Sequence, residues 1–282
     1  MAVPDYIQGW ERIWHYALRV FVGMVLFYLI FPILVVVPLS FNALPYFVFT
    51  KEMLALDPDS YSLRWYEDFF NDRNWRTAVY NSVIIAFFST LLSTTLGTLA
   101  ALGLSRPWLP FRRLLMAALI SPMIVPLIIS AAAMFFFYSE INLQGTYAGV
   151  IMAHTALATP FVVITVTATL SGFDHSLTRA AQSLGATPIT VFFRIIVPLI
   201  LPGVISGALF AFITSFDEVV VILFVGAYEQ HTIPWQMFSG IRERVSPTIL
   251  AVATMLIALS IALLFVMEML RRRGERMRGV RV

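Results

Sequence analysis

Six long apolar runs constrain this chain more than any other feature of its sequence. They cover residues 18–41, 78–104, 114–138, 147–170, 195–225 and 247–270. Each is about the length that a helix needs to cross hydrocarbon, roughly 20 mostly apolar residues. The predicted fold class is therefore an all-α membrane protein with six transmembrane helices in one transmembrane domain spanning 1–282. Composition agrees, because 59% hydrophobic against 12% charged residues excludes disorder and an ordinary soluble domain. The first run, at 24 residues, is too long for the apolar core of a cleaved signal peptide.

The flanks predict orientation. With both termini on one side, the flanks on that side carry 13 of the 19 Lys and Arg residues and the opposite loops carry 6. The positive-inside rule then places both termini of this multi-pass protein in the cytoplasm. Six Arg after position 270 fit a membrane-flanking tail rather than a nucleic-acid face. Trp10, Trp14 and Tyr16 beside Arg12 and Arg19 form the aromatic and cationic mixture of a lipid interface. Residues 42–76, with six acidic and four basic side chains among aromatics, are expected to form a short folded extramembrane segment.

Within the runs, Pro32, Pro38, Pro122, Pro126, Pro160 and Pro202 imply kinks supported by neighbouring helices. Ser89, Ser93, Gly97 and Ala101 recur at steps of four, and Gly203 and Gly207 repeat that spacing, which predicts faces for close helix approach.

The sequence signals no enzyme. Its one Lys, Lys51, lies in Thr-Lys-Glu with no glycine-rich approach, so there is no phosphate-binding loop for ATP. Its four His are scattered and it has no Cys, so neither a zinc site nor a disulfide framework is indicated. His154 is expected to be a hydrogen-bonded bundle residue, the less favoured reading being that it faces a pore.

The loop 171–194 is too amphipathic to span and too apolar to be a solvated linker. Asp174 or Ser176 can cap a helix carrying Leu177, Ala180, Ala181 and Leu184, and Gly185 suits its end. A second short helix from Pro188 would present Val191, Phe192 and Ile195. Such a pair reads as a knob for a protein socket, the alternative being an interfacial helix pair lying on lipid.

Here the chain resembles a known family. Arg179-Ala180-Ala181, three residues, Gly185, nine residues, Ile195, one residue, Val197-Pro198 is similar to the Glu-Ala-Ala signature of binding-protein-dependent ABC importer permeases. Arg179 stands where that family has Glu, which reverses a charge, and Val197 stands where it has Leu. Further resemblance, to the second permease subunit of the spermidine/putrescine group, is carried by five segments. They are Leu63-Arg64-Trp65-Tyr66, Asn81-Ser82, the stretch from Leu157 through Thr159-Pro160-Phe161 to Val163, Ser215-Phe216-Asp217-Glu218-Val219-Val220-Val221, and Val245-Ser246-Pro247-Thr248. The resemblance implies a type I ABC importer permease fold and a non-catalytic subunit. Its implied partners are ATPase subunits, a second homologous permease, a periplasmic substrate-binding protein and membrane lipid. It implies no cofactor in this chain, ATP and Mg being held by the ATPase. Arg179, Ala180, Ala181, Leu184, Gly185 and Pro188 become the ATPase-coupling residues.

Asp217 and Glu218 are the other informative feature. A carboxylate within a span costs about 2.5–3.5 kcal/mol on insertion scales, so the pair must face protein or water. Read as neighbours on a helix, they point about 100° apart. Together with Phe216 they form the candidate substrate path, against the alternative of a structural pair bonded to a neighbouring helix. The expected function is the path for a small cationic or zwitterionic amine such as a polyamine. The alternative is a secondary transporter or channel for a cationic solute that works without ATPase partners.

Overall fold

The computed structural model describes residues 9–106, 108–174, 176–243 and 246–277. His175, Val245, Arg278 and Arg281 lie outside them. In chain order the helices are α1 (Trp10–Leu39), α2 (Lys51–Leu54), α3 (Arg64–Asn71), α4 (Arg73–Leu104), α5 (Arg112–Ile124), α6 (Leu127–Glu140) and α7 (Tyr147–Ser171). After the loop come α8 (Ser176–Ser183), α9 (Pro188–Val191), α10 (Val197–Phe216), α11 (Val220–Val225), α12 (Ile233–Glu243) and α13 (Thr248–Met277). Among the described residues, four helices are long and apolar enough to cross a membrane: Ile13–Leu39 within α1, α4, α7 and Pro188–Phe216 ending with α10. α13 adds a shorter apolar stretch, Thr248–Ala262. The chain divides into two compact units, Arg73–Ser239 and the segments on either side of it.

In the unit made of the flanking segments, α1 and α3 each pack on α13. α1 is apolar and exposed over nearly all its length, as a helix facing lipid must be. The connection from α1 to α3 is folded. Asn42 donates its side-chain amide to Tyr46 O and Val48 O at 3.1 and 3.0 Å and accepts from Leu44 N–H at 2.9 Å. Trp65 Nε1 donates to Asn42 O at 2.7 Å, Ser40 and Tyr66 hydroxyls meet at 2.7 Å, and Tyr66 stacks on Phe41. These bonds satisfy backbone groups that an irregular segment would otherwise leave open.

In the other unit, α7 is the central helix, with α4 and α10 packed on it and on each other. The small residues explain how. Ser89, Ser93, Gly97 and Ala101 are all buried on α4. A Cβ at Gly97 would lie 2.7 Å from Val162 Cβ, one at Gly203 would lie 2.1 Å from Thr169 Oγ1, and one at Gly207 would lie 2.6 Å from Thr165 Oγ1. The backbones are therefore closer than any residue but glycine permits. Two apolar clusters follow one another along α7. The first joins Val150, Ala153 and Leu157 to Ala131 and Tyr138 of α6 and to Val221, Ile222 and Val225 of α11. The second joins Ala158, Val162, Val166 and Leu170 to Ala101 of α4 and to Ile200 and Ala211 of α10.

Two of the six runs are not continuous helices. The run 114–138 is split into α5 and α6, which meet at 101°. Pro126 has no N–H to continue the ladder, and the residue before a proline is driven out of the helical region, as Val125 shows with ψ 135°. The run 195–225 breaks after Phe216, where Asp217 closes the last turn of α10 by donating its N–H to Ile213 O at 3.0 Å. The helix resumes only at Val220.

Candidate functional site

The expectation that Asp217 and Glu218 are neighbours on a helix is corrected by this break, since both lie in the non-helical turn between α10 and α11. Their environments differ. Glu218 is 9% exposed, and its Oε1 accepts from Val220 N–H at 2.6 Å and Val221 N–H at 3.0 Å. Those are the leading N–H groups of α11, so Glu218 caps that helix with a negative charge at its positive end. The same competition of side chain with backbone explains why the helix stops in a stretch without Pro or Gly. Asp217 is exposed. Phe216 ends α10 half-buried, its ring stacked on Phe212 with centroids 5.5 Å apart. One signal for this turn was present in the sequence, because two acidic residues directly before a new apolar run are also a helix-start signature.

Two polar clusters around this turn were not legible from the sequence. His154 on α7 meets Ser215 Oγ through Nδ1 at 2.9 Å, two residues before the turn. This fits the expectation of a hydrogen-bonded bundle residue. Beyond α11, Asn81 Nδ2 donates to Glu229 O at 2.8 Å and His231 O at 2.9 Å, and its Oδ1 accepts from Tyr147 hydroxyl at 2.7 Å. Ser82 Oγ accepts from Ile233 N–H at 2.8 Å. The Asn81-Ser82 pair at the start of an apolar run thus fastens the segment that follows α11 to α4.

The loop 171–194 folds as α8 and α9. Asp174 accepts from Ser176 N–H at 2.8 Å and from Ser176 hydroxyl at 2.7 Å, which starts α8. Gly185, at φ +83°, ends it with the left-handed residue that glycine tolerates best. Arg179 and Ala180 are exposed and Ala181 is half-buried. Leu184 is 89% exposed. Pro188 opens α9 at a position where its missing N–H costs nothing, and Thr187 caps that helix through Thr190 N–H. The apolar face differs from the expected one. Val191 is buried and Phe192 and Ile195 are half-buried, while Ile189 and Phe193 are exposed. α9 is also not a separate helix, because one π-turn over Phe192–Ile196 runs it into α10 and rotates the outward face.

This fold, a helical membrane unit with a largely exposed two-helix loop and no strands among the described residues, is that of a permease subunit of an ABC importer. The chain belongs to the family of binding-protein-dependent transport system inner membrane components, which residues 93–276 match. It is 33% identical over 255 residues to the spermidine/putrescine transport system permease protein PotC of Haemophilus influenzae, covering 90% of this chain and 96% of that one. It is 31% identical over 258 residues to the putrescine transport system permease protein PotI of Escherichia coli, covering 88% of each. A chain from a bacterial ABC transporter that imports the acidic polysaccharide alginate shares the fold with a TM-score of 0.73 over 94% of this chain and 98% of that one, at 16% identity. The chain is thus a multi-pass, non-catalytic membrane subunit, homologous to polyamine permeases. A secondary transporter or channel finds no support.

Proposed function

We propose that this chain forms half of the translocation path for a small cationic or zwitterionic amine, most simply a polyamine, with Asp217 as the carboxylate that attracts it. The observation carrying this reading is the contrast within the acidic pair. Glu218 is spent on α11, whereas Asp217 is exposed and stands beside a break in an otherwise apolar segment. The names of the polyamine permease relatives support the choice of cargo.

The loop 171–194 is the element that docks into the ATPase subunits, which hold the ATP and Mg. Leu184, Ile189 and Phe193 supply its apolar contact, and Gly185 its shape. Arg179 points to an acidic or neutral ATPase surface opposite. A second homologous permease completes the path and a periplasmic binding protein delivers the cargo. Both termini lie in the cytoplasm of a bacterium, with the chain in the inner membrane.

Membrane vesicles holding the assembled transporter and supplied with labelled spermidine test the cargo assignment. Asp217→Asn should reduce uptake about tenfold, the equivalent of one Coulombic contact of roughly 1.4 kcal/mol at a wet site, with a smaller effect on a zwitterionic amine. Normal spermidine uptake at normal abundance would refute it.

A further inference from the structure

His154 is 1% exposed, and its partner Ser215 is 3% exposed. The ring therefore carries an enclosed polar pair. Its Nε2 is buried and has no hydrogen-bond partner among the described residues. An apolar side chain of similar volume would avoid the cost of that orphan nitrogen, so general stability is a poor reason for an imidazole here. What the imidazole supplies and an apolar residue cannot is a directed bond to Ser215.

Ser215, like Ser89 of α4, bonds across to α7 rather than within its own helix. The hydroxyls of Ser93, Ser105, Ser121 and Ser171 fold back onto carbonyls three residues earlier in their own chain. Ser215 instead meets a ring on α7 at 2.9 Å. It occupies the last turn of α10, two residues before Asp217. His154 lies among the first-cluster residues of α7, between Ala153 and Leu157, while α10 enters the second cluster through Ala211. The bond thus fixes the end of α10 at the point where the chain leaves one packed cluster for the other.

The geometry points to His154 as a positioning residue for the acidic turn: through Nδ1 and Ser215 it sets the rotation of the last turn of α10, and so the direction in which the Asp217 carboxylate is presented. The inference rests on the reading of Asp217 as part of the transport path.

The chain contains no cysteine, so Asp217→Cys gives it a single reporter thiol, whose labelling in the assembled transporter is read on this chain after the subunits are separated. Its rate of reaction with a small cationic thiosulfonate measures placement of the turn without reference to cargo. Ser215→Ala removes one atom and leaves the packing, while His154→Leu fills the ring's volume without the bond. Each should change the labelling rate about tenfold, the worth of roughly one hydrogen bond, and the double variant should match either single. His154→Asn, which puts a polar atom at the Nδ1 position, should restore the rate. In the transporter that retains Asp217, Ser215→Ala should raise KM for spermidine while abundance and maximal uptake hold. An unchanged labelling rate in Ser215→Ala overturns the inference even if the His154 variants fail to accumulate, and so do additive effects of the two sites. The two ideas fail separately. Normal spermidine uptake by Asp217→Asn with a labelling rate still sensitive to Ser215 defeats the path reading alone. Lost uptake with an insensitive labelling rate defeats the positioning role alone.

Discussion

Replacing Glu218 by Ala should cost the protein more than any change at its acidic neighbour. Oε1 holds the N–H groups of Val220 and Val221 at 2.6 and 3.0 Å. Around them Val221, Ile222 and Val225 are fully or almost fully buried, so no water replaces the acceptor lost to Val221. The buried Val221 N–H left open costs about 1–3 kcal/mol, and the half-buried Val220 N–H costs less. Removing the buried carboxylate also removes its own desolvation penalty, which offsets part of that loss. A net cost of about 1–2 kcal/mol remains, comparable to a severe N-cap deletion. α11 has six residues, too few to hold as a helix alone, so its contacts with α6 and α7 should loosen with it. Glu218→Gln keeps an acceptor oxygen and loses only the charge at the helix end, about 1 kcal/mol. Asp217→Asn breaks no bond and should lie within about 0.5 kcal/mol of the parent. Thermal unfolding of the detergent-solubilised transporter, followed by its elution as an intact complex, should rank Glu218→Ala below Glu218→Gln and leave Asp217→Asn unchanged. A melting curve for Glu218→Ala that overlays the parent would refute the capping argument, as would an Asp217→Asn chain that fails to accumulate.

Gly207→Val places a side chain where even Cβ meets Thr165 Oγ1 at 2.6 Å and Val162 Cα at 3.0 Å, so membrane abundance should fall. Gly103→Ala, with nothing within 4 Å of the added atom, should leave abundance unchanged, and equal behaviour of the two would contradict the packing described. Gly185→Trp forces a left-handed φ on a bulky residue at the exposed end of α8, and should uncouple ATP hydrolysis from cargo-loaded binding protein in vesicles without loss of inserted protein. Asn81→Leu deletes three bonds of 2.7–2.9 Å at a fully buried site. A loss of about 3 kcal/mol or more should appear as protease sensitivity of the segment after α11, and an unaltered cleavage pattern would count against the clamp.

The parts of this fold legible in the sequence are those governed by composition and short spacing. Run length located α1, α4, α7 and α10, and steps of four located the buried face of Ser89, Ser93, Gly97 and Ala101. Motif spacing located the surface loop and its glycine, whose positive φ is a local property of one residue. What stayed hidden depends on partners distant in the chain. Pro126 was visible as a kink, but a 101° bend requires α6 to find α11, more than eighty residues away, as its packing surface. Glu218 looked like half of a matched pair because its partners are backbone N–H groups, which carry no residue code. The His154–Ser215 bond joins positions 61 residues apart, and neither residue type announces the other.

The break at Asp217 and Glu218 connects these structural facts to transport. Backbone that leaves the helical ladder at membrane depth is tolerated where protein encloses it or where water reaches it. Protein encloses the turn at Glu218, and the proposed path supplies the second condition at Asp217. Toward α11 the freed N–H groups of Val220 and Val221 are closed off by Glu218, so that side of the turn needs no solvent. On the other side Asp217 is exposed, and an exposed carboxylate in an apolar segment is stable only where water, a cation or a facing polar surface replaces its hydration. The rigid contact of α4, α7 and α10 through Gly97, Gly203 and Gly207 then holds that carboxylate on a fixed support rather than on a mobile loop. The cation site proposed at Asp217 needs this combination, since a charge that was itself paired within the protein would attract nothing and one on a mobile segment would follow its ligand.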